Sequence, residues 1–238
     1  MKPKVNSTHR GIAAGLGGKS SRWLLAGILL AFVWGAVPVR ASEPNVQDYI
    51  AGFEASYHDI HSLRADFVQT YFLGNRTRIE SGKVCFARGG LMRWDYQRPT
   101  DKLFVSDGKQ VSLYIPEEHQ LTKSSMKASD DYRVPFELLL SRLNLKKVFE
   151  RVELVDSALD HDPGDHVLRA YPKKQFAGDY TDVLIELTPH FDIRRLVVNY
   201  PDRSRMEFHF DHIERNPALA ASLFRFTAPA GTDIIDQH

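Results

Sequence analysis

The chain has 238 residues, 43% of them hydrophobic and 26% charged, with a formal net charge of +1. That suits one folded domain, or at most two, and excludes a largely disordered chain. The charge is unevenly spread. Residues 1–41 hold Lys2, Lys4, Arg10, Lys19, Arg22 and Arg40 and no acidic residue, so the rest of the chain carries 25 basic side chains against 30 acidic ones, a net −5. A mildly acidic body lacks the basic surface that nucleic-acid binding needs, so no nucleic-acid partner is expected.

An apolar run, Trp23–Val37, follows the basic start, and Pro38 breaks it. Val39 and Ala41 then occupy the −3 and −1 places of a small-residue cleavage site. This layout predicts a secretory signal peptide over residues 1–41 and a single domain over residues 42–238. An uncleaved anchor is the alternative. Arg40 favours it, but the core is short against the about 20 apolar residues that a span needs. Ser42 stands where a lipidated protein would have cysteine, so a protein free in an exported compartment is expected. The single cysteine, Cys85, excludes an intramolecular disulfide and reads as a small buried filler.

Residues 45–64 predict an amphipathic helix, with Val46, Tyr49, Ile50, Phe53, Tyr57, Ile60 and Leu63 at three- and four-residue spacing. Strands follow at 65–71, at 76–87 with a bend at Gly82, and at 91–96, with Gly74-Asn75 and Gly89-Gly90 as turns. In the last of these, Met92, Trp94 and Tyr96 share one face, and Arg93 and Asp95 take the other. Asp107-Gly108 predicts a hairpin between strands at 103–106 and 110–115. Residues 124–133 read as loop, and 135–149 as a second, leucine-rich helix. Further strands are expected near 152–155, 166–171, 183–187 and 196–200. Met206, Phe208, Phe210 and His212 are expected on one strand face, and Phe224 and Phe226 on a last short strand.

About ten strands and two helices without β-α-β alternation predict an α+β, mainly β fold. Its expected form is one wide antiparallel sheet, curled into a half-closed barrel and covered by helices. The large apolar side chains on coherent faces, Met92, Trp94, Tyr96, Met206, Phe208 and Phe210, are the candidate lining of an apolar cavity. The bland alternative is a plain core beneath the helices.

Catalysis has little to stand on. There is no Gly-x-Ser-x-Gly, and the carboxylates are scattered, so no catalytic residue is nominated. His209 and His212 lie three apart on a strand and point to opposite faces. The turn His161–His166, HDPGDH, could hold a metal or serve an exported hydrolase, but a solvated loop accounts for it. No metal or cofactor is expected.

The stretch Leu63–Gln120 resembles the periplasmic outer-membrane lipoprotein carrier family, LolA. The matching features are Phe67-x-Gln69, the strand from Gly82 to Arg88, Trp94 with Pro99, Ser106-Asp107-Gly108-Lys109, and Tyr114-x-Pro116 with Gln120. Pro135-Phe136 falls where the family has its second helix, and the tail Phe224–Gln237 is similar to the family's C-terminal segment. The resemblance implies an incomplete barrel lidded by helices and a non-enzymatic, monomeric periplasmic carrier. Its cargo would be acylated lipoproteins, received from an inner-membrane ABC-type release complex and passed to an outer-membrane acceptor lipoprotein. A related envelope protein carrying another amphiphile, such as a glycolipid, is the alternative. The resemblance also implies that Arg88 latches the lid helix over the empty cavity. The chain departs from the family at Gly89-Gly90, where many members carry Arg-Pro, and two glycines loosen that strand end.

Overall fold

The computed structural model describes residues 45–126, 144–174 and 180–237. The proposed signal peptide and most of the expected second helix lie outside these residues. Of that helix, only one turn, α2 (Leu145–Val148), is described. The first helix, α1 (Val46–His58), opens on Asn45, whose side chain accepts from the Gln47 amide at 3.1 Å. It is shorter than the apolar spacing suggests. Leu63 also alternates with Ala65 and Phe67, and the chain takes that second period from Ser62 onward.

Among the described residues twelve strands follow: β1 (Ser62–Leu73), β2 (Arg76–Ala87), β3 (Leu91–Arg98), β4 (Lys102–Asp107), β5 (Gln110–Ile115), β6 (Gln120–Ser125), β7 (Phe149–Leu154), β8 (His166–Pro172), β9 (Asp182–Leu187), β10 (Ile193–Asn199), β11 (Arg205–Arg215) and β12 (Asp233–Gln237). They form one sheet in the order β12-β6-β5-β4-β3-β2-β1-β11-β10-β9-β8-β7. Two meanders, β1–β6 and β7–β11, are joined where β1 pairs with β11, and the sheet stays open at β7 and β12. The expected open, mainly β fold is the observed one. Further details differ from the sequence reading. Residues 120–125, read partly as loop, are a strand. Phe224 closes a 3-10 turn (Ala221–Phe224) instead of lying on a strand. The final strand, β12, pairs parallel to β6.

One face of the sheet, the inner face, carries the main core, and α1 packs on it with Ile50, Phe53 and Tyr57 buried. The outer face of β8–β10 holds a smaller cluster of Val167, Leu184 and Val197 against Val155, Ala158 and Leu159. Glu186, fully buried on that side, meets Arg195 at 2.7 Å; burial pushes its carboxyl up against the pull of that arginine. Among the described residues, no helix is long and apolar enough to cross a membrane.

The bend expected at Gly82 is a β-bulge between Ser81 and Gly82 opposite β3. A Cβ on Gly82 would lie 1.9 Å from the Asp95 carbonyl oxygen, which is backbone and cannot swing aside. Gly82→Ala is therefore expected to lower stability by about 2–3 kcal/mol, read as a shift in the urea midpoint.

Candidate functional site

The alternation of β3 and β11 brings the six candidate lining residues onto the inner face. Met92, Trp94, Tyr96, Met206, Phe208 and Phe210 are all buried, none more than 8% exposed, and belong to one apolar cluster. The strands between them supply Phe67 and Phe86. Trp94 lies 4.8 Å from the Phe67 ring, 5.4 Å from Phe86 and 5.5 Å from Phe208, and Phe208 stacks on Phe210 at 6.2 Å. Tyr96 donates its hydroxyl to Gln69 Oε1 at 2.7 Å, and the Gln69 amide nitrogen faces the Met206 sulfur at 3.7 Å. The Phe67-x-Gln69 pair thus places an aromatic ring and a hydrogen-bonding amide on the same side of β1.

His212 does not join this face. It has φ +52°, its side chain turns outward, and its Nδ1 lies 3.0 Å from Asp66 Oδ2. His209 lies 3.4 Å from Asp211 instead. In the turn His161–His166, Asp162 and Asp165 face Arg194, and His166 meets Asp156 at 2.9 Å. Cys85 is half-buried in β2, between the inward-facing Val84 and Phe86 and opposite Arg64 of β1.

α1 crosses the β7–β10 half of the inner face. Glu54 accepts from the Leu145 amide at 2.8 Å, and Tyr49 meets His166 ring to ring at 4.5 Å. The Tyr57 hydroxyl accepts from the Ile193 amide at 3.3 Å, and burial pushes its pKa up. Gly52 permits the close approach of Phe191, whose ring would lie 2.3 Å from a Cβ at that position.

The C-terminal end of α1 leaves backbone groups that its own helix cannot pair. Arg88, in the turn after β2, takes two of them. Its Nη2 donates to the His58 carbonyl at 2.5 Å and its Nε to the Ile60 carbonyl at 3.0 Å. Its backbone amide takes a third, the His61 carbonyl, at 3.0 Å. A cation at this pole of the helix is also favoured by the helix dipole. Gly89 and Gly90 have φ of +87° and +76°, a region that a proline ring forbids, so the turn is built differently from an Arg-Pro turn while Arg88 still reaches α1.

Asn216 is the residue that the sequence reading missed. It donates from Nδ2 to the Asp59 carbonyl at 3.3 Å and from its backbone amide to the Ser62 carbonyl at 2.9 Å. Its Oδ1 accepts from the His61 amide at 2.8 Å. Between them, Arg88 and Asn216 serve six backbone groups of the α1–β1 connection. The signal that could have found Asn216 is the Asn-Pro pair closing β11, a turn-forming combination at a strand end.

These features define a class: an open β-sheet whose aromatic inner face lies under a helix pinned at one end. The family described as outer membrane lipoprotein carrier protein LolA matches residues 58–227. The chain belongs to that family. A protein of Bordetella avium named outer-membrane lipoprotein carrier protein is 29% identical over 218 residues, covering 90% of this chain and 99% of its own. One of the same name from Methylibium petroleiphilum is 30% identical over 200 residues, covering 83% and 92%. Among solved structures, an uncharacterized conserved protein from Thermus thermophilus shares the fold. It matches with a TM-score of 0.50 at 12% identity, over 81% of this chain and 99% of that one.

Two substitutions test the aromatic face. Tyr96→Phe removes the proton that Gln69 accepts and is expected to cost about 1–2 kcal/mol. Trp94→Ala empties the centre of the ring cluster and is expected to cost about 3–5 kcal/mol. Chemical denaturation reads both. Equal costs would mean that the ring cluster is not the centre of the packing.

Proposed function

We propose that this protein is a periplasmic carrier that takes the acyl chains of lipoproteins onto its inner face and conveys them from the inner to the outer membrane. Met92, Trp94, Tyr96, Met206, Phe208 and Phe210 would line the space that opens for the chains. Supply would come from an inner-membrane ABC-type release complex, and delivery would go to an outer-membrane acceptor lipoprotein. Membership of the carrier family supports this reading. The observation that carries it is the placing of α1 on the inner face, with its C-terminal end held by the side chain of Arg88.

The energetics suit a hand-over. Burying each acyl methylene is favourable by about 0.8 kcal/mol. Opening the helix over the face costs the Arg88 bonds and sets a penalty against binding, so affinity stays below what the apolar area alone would give. Transfer needs no catalyst, only an acceptor whose affinity is higher.

Loss of the two Arg88 side-chain bonds, discounted for the exposure of the arginine, destabilises the closed form by about 1–2 kcal/mol. Arg88→Met is therefore expected to bind a fluorescent fatty acid about 5–30-fold more tightly and to deliver cargo to acceptor more slowly. Unchanged affinity in this variant would dispose of the latch. Wild-type protein that neither binds the probe nor releases lipoproteins from spheroplasts would dispose of the carrier.

A further inference from the structure

The outer face carries a pocket of its own, on the side of the sheet away from the aromatic cluster. Strand register sets Val105, Ser112 and Lys123 side by side across β4, β5 and β6, on the face opposite Phe104 and Trp94. The segment that precedes β12 crosses over these strands. Arg93 Nη1 donates to the Leu223 carbonyl at 3.3 Å, Phe224 is buried, and the Phe226 ring lies 5.0 Å from Tyr114. Between segment and strands is a pocket of about 500 Å³, with Val105, Phe224 and Phe226 on its apolar side.

Its polar side is cationic. Lys109, Lys123 and Arg225 line it against a single carboxylate, Asp107. That carboxylate is committed to the hairpin. Its Oδ1 accepts from the Gln110 and Lys109 amides, both at 2.8 Å, and these bonds hold it below the usual carboxylate range. Arg93 is paired through two nitrogens with Asp95. The three lining cations differ from it, since none has a side-chain hydrogen bond or ion pair among the described residues. Asp236 stands beside Lys123 in the β12–β6 register and forms no ion pair with it. On a body of net charge −5, three unmatched cations around one pocket concentrate a positive field that an anion would satisfy.

We propose that this pocket binds a phosphate monoester with an apolar organic part. The phosphoryl group carries close to two negative charges, and its oxygens accept from several directions at once. Donors from the hairpin, from β6 and from the C-terminal segment can therefore share it. Val105, Phe224 and Phe226 take the organic part, and the volume is that of a small-molecule site. A free ester and the head group of phosphatidic acid present the same chemistry here. The site does not rest on the carrier reading, because it uses the other face of the sheet.

The test is titration of the full protein with phenyl phosphate, and with phenylacetate as a carboxylate control, followed by backbone amide NMR shifts. Phenyl phosphate is expected to shift amides of β5, β6 and residues 223–226, and to bind about tenfold more tightly than phenylacetate. The double variant Lys123→Gln with Arg225→Gln is expected to bind it about tenfold more weakly. Equal affinity for the two probes overturns the proposal. So does unchanged binding in the double variant, a set of shifts elsewhere, or no binding of phenyl phosphate. Flotation with phosphatidylcholine vesicles containing phosphatidic acid then separates the two sources. Flotation that the double variant loses assigns a lipid head group. Flotation that is absent, or that the variant keeps, assigns a free ester. The fatty-acid probe tests the carrier separately, at the inner face.

Discussion

The pairing of β1 with β11 is the contact on which the rest of the molecule depends. It joins two meanders distant in the chain and sets Phe67 beside Phe210 and Gln69 beside Phe208. Without it, the rings of β3 and those of β11 would belong to two separate half-sheets, each with one apolar face open to water. A slip of one residue would turn every inner side chain outward. The burial of Phe67, Phe208 and Phe210 therefore fixes the register.

The same junction fixes where α1 ends. The chain must turn from helix to strand within Asp59–His61, and the backbone groups exposed there have to find partners. Arg88 arrives from the end of β2 and Asn216 from the end of β11, the two strands that flank β1. Their roles differ in kind. Asn216 acts partly through its backbone at a left-handed position, φ +56°, and is built into the turn. Arg88 acts mainly through a long, exposed side chain. Both hold the same end of α1.

Much of this was legible in the sequence, because alternation reports faces directly. The rings of β3 and β11 and the turn glycines led to the sheet and to its inner side. Arg88 came from the family resemblance, since an exposed arginine at a strand end has no period to reveal it. What stayed hidden depended on contacts between distant residues. Leu63 fits a helical stripe and a strand alternation equally well, and only pairing with β2 and β11 decides between them. His212 follows the alternation of β11, but the bulge at Arg64/Asp66 and a left-handed backbone turn it out of line. Lys109, Lys123 and Arg225 come from three separate segments, and nothing local marks them as neighbours.

The last strand has a consequence for how the molecule survives in solution. β12 is exposed along its whole length and meets the sheet only at β6, whose partner residues lie more than 100 positions earlier in the chain. Such a strand buries little and joins late, so amide hydrogens along it should exchange sooner than those of the central strands. Yet its presence occupies the free side of β6, which would otherwise offer unpaired backbone groups to any extended chain nearby. β12 thereby becomes the outermost strand itself, and the edge it carries in place of β6 is short and bears Asp233 and Asp236 beside its exposed isoleucines.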